Sequence, residues 1–282
     1  MSTLIDIAST ITAKLHLYRR EQLLGQATGF FTEWNGQVFL ITNWHVVSGL
    51  RTDTHKPVHR KGGIPDRVKF RVPVKGDIGQ WLSPIEQPLY EDSDTNDAPE
   101  KPLWLEHPVY RGLECPGFGE RLDIVALPIQ IPEGGAVLKI EAVNTVPNMR
   151  LKVAMDVFVL GYPMGIDGGG EFPIWKRGSI ATEPGVHRGG PPHILIDTAT
   201  REGMSGAPVI AIADGDFEVE GPPPAYRLPG RVYRFIGVYS GRLGDGEMEA
   251  QLGIVWKASL LEHIVKTGTP GTSSHTLLGQ AP

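Results

Sequence analysis

The chain has 282 residues, 40% of them hydrophobic and 21% charged, with a formal net charge of −5. That length and apolar content suffice for one large domain or two small ones, and the mild acidity argues against a nucleic-acid binder, which needs a basic face. Glycine (35) and proline (24) together are high for a helical protein and suit short strands joined by many turns.

No stretch reaches the roughly 18 apolar residues of a membrane span. The segment from Met1 to Leu17 carries Asp6 early and lacks the apolar core of a signal peptide. Cys115 is the one cysteine, so no disulfide can form within the chain. A soluble protein of the reducing cytoplasm, with no membrane partner, is the expectation.

In chain order, residues 2–18 predict a helix, because Leu4, Ile7, Ala8, Ile11 and Leu15 recur at helical spacing. Packing on the outside of a β domain is its plain role, and docking is the alternative. Two β-rich runs then flank Asn35-Gly36, a pair that accepts the positive φ of a tight hairpin. Residues 51–66 and 86–102 are polar, proline-rich surface loops. Strands are predicted at 68–74, 123–129, 152–160, 174–181, 193–198, 208–213, 233–239 and 252–256. Residues 214–231, with Pro222-Pro223-Pro224, read as a loop at a hairpin tip. Residues 259–267 predict an amphipathic helix, and the Gly/Ser/Thr/Pro tail from Gly268 is expected to be mobile. The pattern divides into an N-terminal helix and lead-in at 1–24, a mainly β domain at 25–267, and a tail at 268–282.

Three short motifs carry chemistry. In Gly203-Met204-Ser205-Gly206-Ala207-Pro208, a serine stands between glycines. A serine hydroxyl attacks only with a base to take its proton, and converging backbone N–H groups must hold the resulting oxyanion. Glycines on either side let the backbone turn that way, although such strings also arise in ordinary glycine-rich loops. In Phe39-Leu40-Ile41-Thr42-Asn43-Trp44-His45-Val46-Val47, a histidine ends an apolar strand, where imidazole can act as a base near neutrality. A lone histidine there would as readily be a satisfied corner residue. In Arg121-Leu122-Asp123-Ile124-Val125-Ala126-Leu127-Pro128, an aspartate opens an apolar strand. If buried it needs a partner such as a histidine N–H; the plain alternative is a strand-end carboxylate facing water.

The order His45, Asp123, Ser205 is that of chymotrypsin. On these motifs the chain resembles the trypsin-like (chymotrypsin-fold) serine protease superfamily, in its bacterial HtrA-like and cytoplasmic branches. Asp156-Val157-Phe158-Val159-Leu160-Gly161-Tyr162-Pro163 and Phe235-Ile236-Gly237-Val238-Tyr239-Ser240-Gly241 resemble two further strands of that family. The resemblance covers roughly residues 25–265 and implies an all-β fold of two six-stranded antiparallel barrels, about 25–145 and 146–267. It implies a triad of His45, Asp123 and Ser205, an oxyanion hole from the N–H groups of Gly203 and Ser205, and no cofactor. Substrate contacts fall to Ala199 and Thr200 at the pocket base and to Tyr239, Ser240 and Gly241 along the edge strand.

Departures from the family narrow these expectations. Met204 stands where zymogen-activated members have an aspartate, and a thioether cannot accept their new N-terminal amine; activation of that kind is not expected. With only a short tail after the last strand, no PDZ domain is expected. Neither Ala199 nor Thr200 is acidic, which favours small or apolar side chains over Arg or Lys, although Asp245, Glu247 and Glu249 can enter from the following loop. His55, His59, His107 and Cys115 lack metal-ligand spacing, so no metal is expected. Gly168-Gly169-Gly170 has no Lys-Ser/Thr after it and reads as cleft rim; Trp34, Trp81, Trp104 and Trp175 read as packing residues. A serine endopeptidase acting on protein or peptide is thus the leading expectation. Activation by a regulatory protein partner, or a non-catalytic binding module on the same fold, is the alternative.

Overall fold

The computed structural model describes residues 5–91, 101–111, 121–186, 190–221, 225–242 and 252–278. After a short 3-10 turn at Ile7–Thr10, the first half forms β1 (Thr12–Arg19), β2 (Gln22–Trp34), β3 (Gln37–Thr42), β4 (Arg67–Phe70), β5 (Pro73–Val74), β6 (Asp77–Trp81), β7 (Ile85–Pro88), β8 (Leu105–Glu106) and β9 (Val125–Ile129). A five-residue helix, α1 (Trp44–Ser48), follows β3 directly. The second half forms β10 (Asp156–Gly161), β11 (Ile174–Ile180), β12 (His193–Asp197), β13 (Pro208–Glu218), β14 (Ala225–Arg242) and β15 (Leu252–Lys257). Helix α2 (Ala258–Thr267), β16 (Thr269–Pro270) and helix α3 (Ser274–Leu278) complete it.

Turn chemistry sets the register. Asn35 and Gly36 adopt φ of 49° and 80°, as a two-residue turn matched to strand twist requires, and Trp34 pairs with Gln37 across it. The strands β10-β11-β12-β15-β14-β13 close into the expected six-stranded barrel. The N-terminal sheet instead is an eight-stranded half-barrel in the order β16-β8-β9-β3-β2-β1-β4-β7, with β5-β6 as a separate pair. Each half has an apolar core. A third cluster lies between them, where Phe30 of β2 meets Phe235 of β14 edge-on at 5.5 Å.

Three sequence expectations are corrected. Residues 12–19 form a strand, not a helix. Ile11 and Leu15 fit a spacing of four, which helix and strand share, but Ala13 and Leu17 complete an alternation that only a strand can bury on one face. Residues 214–231 belong largely to the β13–β14 hairpin, with Asp214 opposite Arg231 and Glu218 opposite Ala225. Residues 269–278, expected to be mobile, are structured. Thr269 and Pro270 pair with Glu106 and Leu105 of β8, and the small Gly271 lies flush against Trp104, donating its N–H to the Trp104 carbonyl at 2.9 Å.

Helix α2, expected from its amphipathic pattern, docks through a histidine pair. His107 Nδ1 accepts backbone N–H groups from Val109 and Tyr110. The ring proton of neutral His107 therefore sits on Nε2, which donates to His263 Nδ1 at 2.6 Å. Burial, and secondly the facing His263, push the His107 pKa down to about 4 from 6.5. The unfolded chain then binds more protons than the folded one between those values, so this site lowers stability as the pH falls through that window. Urea unfolding midpoints should fall from pH 7 to pH 4.5. In His107→Asn, whose side-chain oxygen can still accept the two N–H groups, the fall should be smaller.

Candidate active site

The histidine motif leaves β3 at Thr42 and turns immediately into α1. Fully buried Trp44 anchors this corner, and Gly49 ends the helix with φ 68°, its N–H bonded to the His45 carbonyl at 3.0 Å. The corner leaves the His45 side chain 21% exposed and aims its ring at Asp123. His45 Nδ1 lies 2.7 Å from Asp123 Oδ2, and the His45 backbone N–H donates to Asp123 Oδ1 at 2.9 Å. Asn43 clasps the same segment by donating to the Asp123 carbonyl at 2.6 Å.

A third donor to this carboxylate comes from the other half of the molecule. Tyr239 pairs with Val255 and Gly241 with Ile254, leaving Ser240 as an extra residue between them. Such a bulge re-aims a side chain, and the Ser240 hydroxyl donates to Asp123 Oδ2 at 2.5 Å. Burial by itself raises the Asp123 pKa; the His45 charge, the His45 ring, the Ser240 hydroxyl and the His45 N–H outweigh it and hold the carboxyl below its ordinary value. This side-chain role is additional to the substrate contact expected of Ser240, and the sequence does not show it because a bulge leaves no mark in a β-rich run.

The serine motif forms a tight turn before β13. Gly203 and Gly206 take φ of 89° and 84°, left-handed values that favour glycine. Space also forbids a side chain, since a Cβ on Gly203 would stand 2.3 Å from the Tyr162 carbonyl oxygen and one on Gly206 2.2 Å from that of Thr28. Thr28, which the sequence reading passed over as one more strand residue, is the fastener. It is fully buried on β2, and its N–H donates to the Ser205 carbonyl at 2.9 Å. Its hydroxyl donates to the Gly203 carbonyl at 2.7 Å and accepts from the Tyr162 N–H at 3.1 Å. Its carbonyl accepts from the Thr42 hydroxyl at 2.9 Å, three residues before His45. Nothing in the local sequence marks this role, because the burial of Thr28 depends on strands distant in the chain.

The turn is also stitched to β14, with Gly206 N–H donating to the Tyr239 carbonyl at 3.0 Å and Tyr239 N–H to the Ala207 carbonyl at 2.9 Å. Among the described residues, neither the Gly203 nor the Ser205 N–H donates to a protein acceptor. Ser205 is half-buried, and among the described residues its hydroxyl makes no hydrogen bond with His45, while His45 and Asp123 are joined.

Of the other expected contact residues, Ala199 is exposed and Thr200 is buried with its hydroxyl bonded to the Tyr239 hydroxyl. The Tyr239 ring lies inside the barrel core, and its backbone is committed to the serine turn. Gly241 continues β14 at φ 134°. Asp245, Glu247 and Glu249 lie outside the described residues, as does Cys115. Among the described residues no cluster of three or more His, Cys, Asp or Glu side chains could hold a metal ion, and no helix is long and apolar enough to cross a membrane.

A family model described as a trypsin-like peptidase domain matches residues 27–217, which include His45, Asp123 and Ser205. Among solved structures, the chain is similar to the Rv3671c protease from M. tuberculosis in its active form, at 16% identity and a TM-score of 0.45, over 94% of this chain and 83% of that one. It is similar to the serine endoprotease from Yersinia pestis at 10% identity and a TM-score of 0.49, over 92% and 62%. The MamO protease domain from Magnetospirillum magneticum gives 14% identity and a TM-score of 0.46, over 90% and 95%. No curated protein matches the sequence.

With its folded pKa below the ordinary 3.8, Asp123 stabilises the fold above that pH and loses the contribution as the pH falls through the folded value. Ser240→Ala removes one donor and should move the Asp123 titration back toward 3.8, read from the midpoint of its carboxyl ¹³C resonance.

Proposed function

Because the chain belongs to the trypsin-like peptidase domain family, we propose that it is a serine endopeptidase working through Ser205, His45 and Asp123. The observation that carries this reading is the buried Asp123–His45 pair, together with the bonds by which Thr28 links the glycine-flanked serine turn to Thr42, three residues before His45. In the proposed reaction, Ser205 Oγ attacks the carbonyl carbon of a peptide bond while its proton passes to His45 Nε2. Asp123, with His45 Nδ1–H bonded to it, fixes the tautomer and stabilises the imidazolium that forms. The Gly203 and Ser205 N–H groups, which have no acceptor among the described residues, take the charge on the carbonyl oxygen. The C–N bond then breaks as the His45 proton goes to the leaving amine. An acyl group remains on Ser205, and water removes it by the same route.

Ala199 and Thr200, both neutral and with the Thr200 hydroxyl already bonded, support a preference for a small or apolar side chain before the cleaved bond. The backbone of Ser240 and Gly241 supplies the edge along which the peptide lies. The reaction as written needs no cofactor. The lone cysteine supports a cytoplasmic setting. The missing Ser205–His45 bond favours a second reading, in which substrate or a protein partner must engage before the site is complete, since such bonds often tighten only in the complex.

Purified wild type should take up a fluorophosphonate probe on Ser205 and cleave a denatured protein. Ser205→Ala should fold alike and do neither, and Asp123→Asn should keep the fold while losing about 10⁴-fold in kcat. Full cleavage by Ser205→Ala would sink the mechanism. Absence of labelling in wild type would favour the partner-activated reading.

A further inference from the structure

Arg121 stands two residues before Asp123, and Trp44 one residue before His45. The Arg121 guanidinium lies 4.0 Å from the centroid of the Trp44 ring, within the range of a cation–π contact. It also forms an ion pair with Glu106, and both side chains are only 4% exposed. The second Glu106 oxygen accepts the Trp104 indole N–H and the Thr272 backbone N–H, each at 3.0 Å. Thr272 belongs to the segment after α2 that lies along β8 as a strap. Arg111 holds the strap by donating to the Thr269 and Thr272 hydroxyls at 2.9 and 2.6 Å. Ser274 closes it by donating to the carbonyl of Ser48, the last residue of α1, at 2.8 Å.

We propose that Arg121 and Glu106 are positioning residues for the His45–Asp123 pair, and that the strap completes their support. The inference rests on the reading of that pair as catalytic. One planar cation bridges the two chain segments that carry His45 and Asp123. A buried arginine must have a partner, and Glu106 supplies it, so the guanidinium acts on Trp44 by packing. Lysine cannot substitute, because a point charge on a flexible stem neither stacks as a plane nor offers a rigid fork.

The test uses the full chain with Arg121→Lys and, separately, Gly271→Ala. A Cβ on Gly271 would lie 2.3 Å from the Trp104 indole nitrogen, which lifts the strap without touching the cleft. Both variants should lose about 10- to 100-fold in kcat, the scale of a small misplacement of reacting groups, with KM within about twofold. The low-field NMR signal of the His45 Nδ1 proton should broaden or shift in both. Val68→Ala, which hollows the same sheet near its far edge, should be destabilised yet keep kcat and the resonance. Variants that retain wild-type kcat and resonance would overturn the proposal, as would a Val68→Ala protein that changes in the same way. If wild type shows the proton signal but neither labels nor cleaves, the constitutively active peptidase reading gives way to the partner-activated one. The resonance then decides the positioning role alone, because it needs no turnover.

Discussion

The structure is organised around one buried carboxylate. Asp123 is almost fully enclosed, and a charge in that position is tolerated only with several well-placed donors. The donors come from two places, the His45 ring and N–H at the β3–α1 corner and the Ser240 hydroxyl on a bulge of β14, while Asn43 at the same corner holds the Asp123 backbone carbonyl. Satisfying that one group therefore draws a corner of the half-barrel and an edge of the closed barrel to a common point. Loss of any donor would leave a buried charge undercompensated, so the geometry is enforced by the cost of the alternatives.

Thr28 makes the complementary link. Its N–H, hydroxyl and carbonyl bond respectively to Ser205, to Gly203 and Tyr162, and to Thr42. The serine turn, which belongs to the second half of the chain, is thus registered against the strand that leads to His45. Gly203 and Gly206 permit the approach by left-handed backbone and by the absence of a side chain where carbonyl oxygens stand within 2.3 Å of the Cβ position. Within this frame the Gly203 and Ser205 N–H groups donate to no acceptor among the described residues.

Next to the His45–Asp123 pair, the Arg121–Glu106 pair, Trp44, Trp104 and the strap form a second layer. It is built from planar groups and buried charge, and its members come from β8, α1, the approach to β9 and the segment after α2. Residues far apart in the chain meet there because the strap returns from the closed barrel to the edge of the half-barrel.

Much of this was legible in the amino-acid order. The Asn35-Gly36 hairpin, the strands of the closed barrel, four of the eight strands of the other sheet, helix α2, and the three motifs in the order His, Asp, Ser all follow from local rules: alternation, turn chemistry and the φ demands of glycine. Residues 12–19 were misread because a spacing of four serves helix and strand alike, and only burial against β2 and β4 decides between them. Ser240 as a donor to Asp123, Thr28 as the fastener, and the strap from Thr269 carry no local signature. A bulge, a buried threonine and a small-residue segment gain meaning only when distant strands come within hydrogen-bonding reach. The sequence by itself determined which side chains could do the chemistry. The tertiary structure alone decided how the buried carboxylate is satisfied, because hydrogen bonds act over about 3 Å while His45 and Ser240 lie 78 and 117 positions from Asp123.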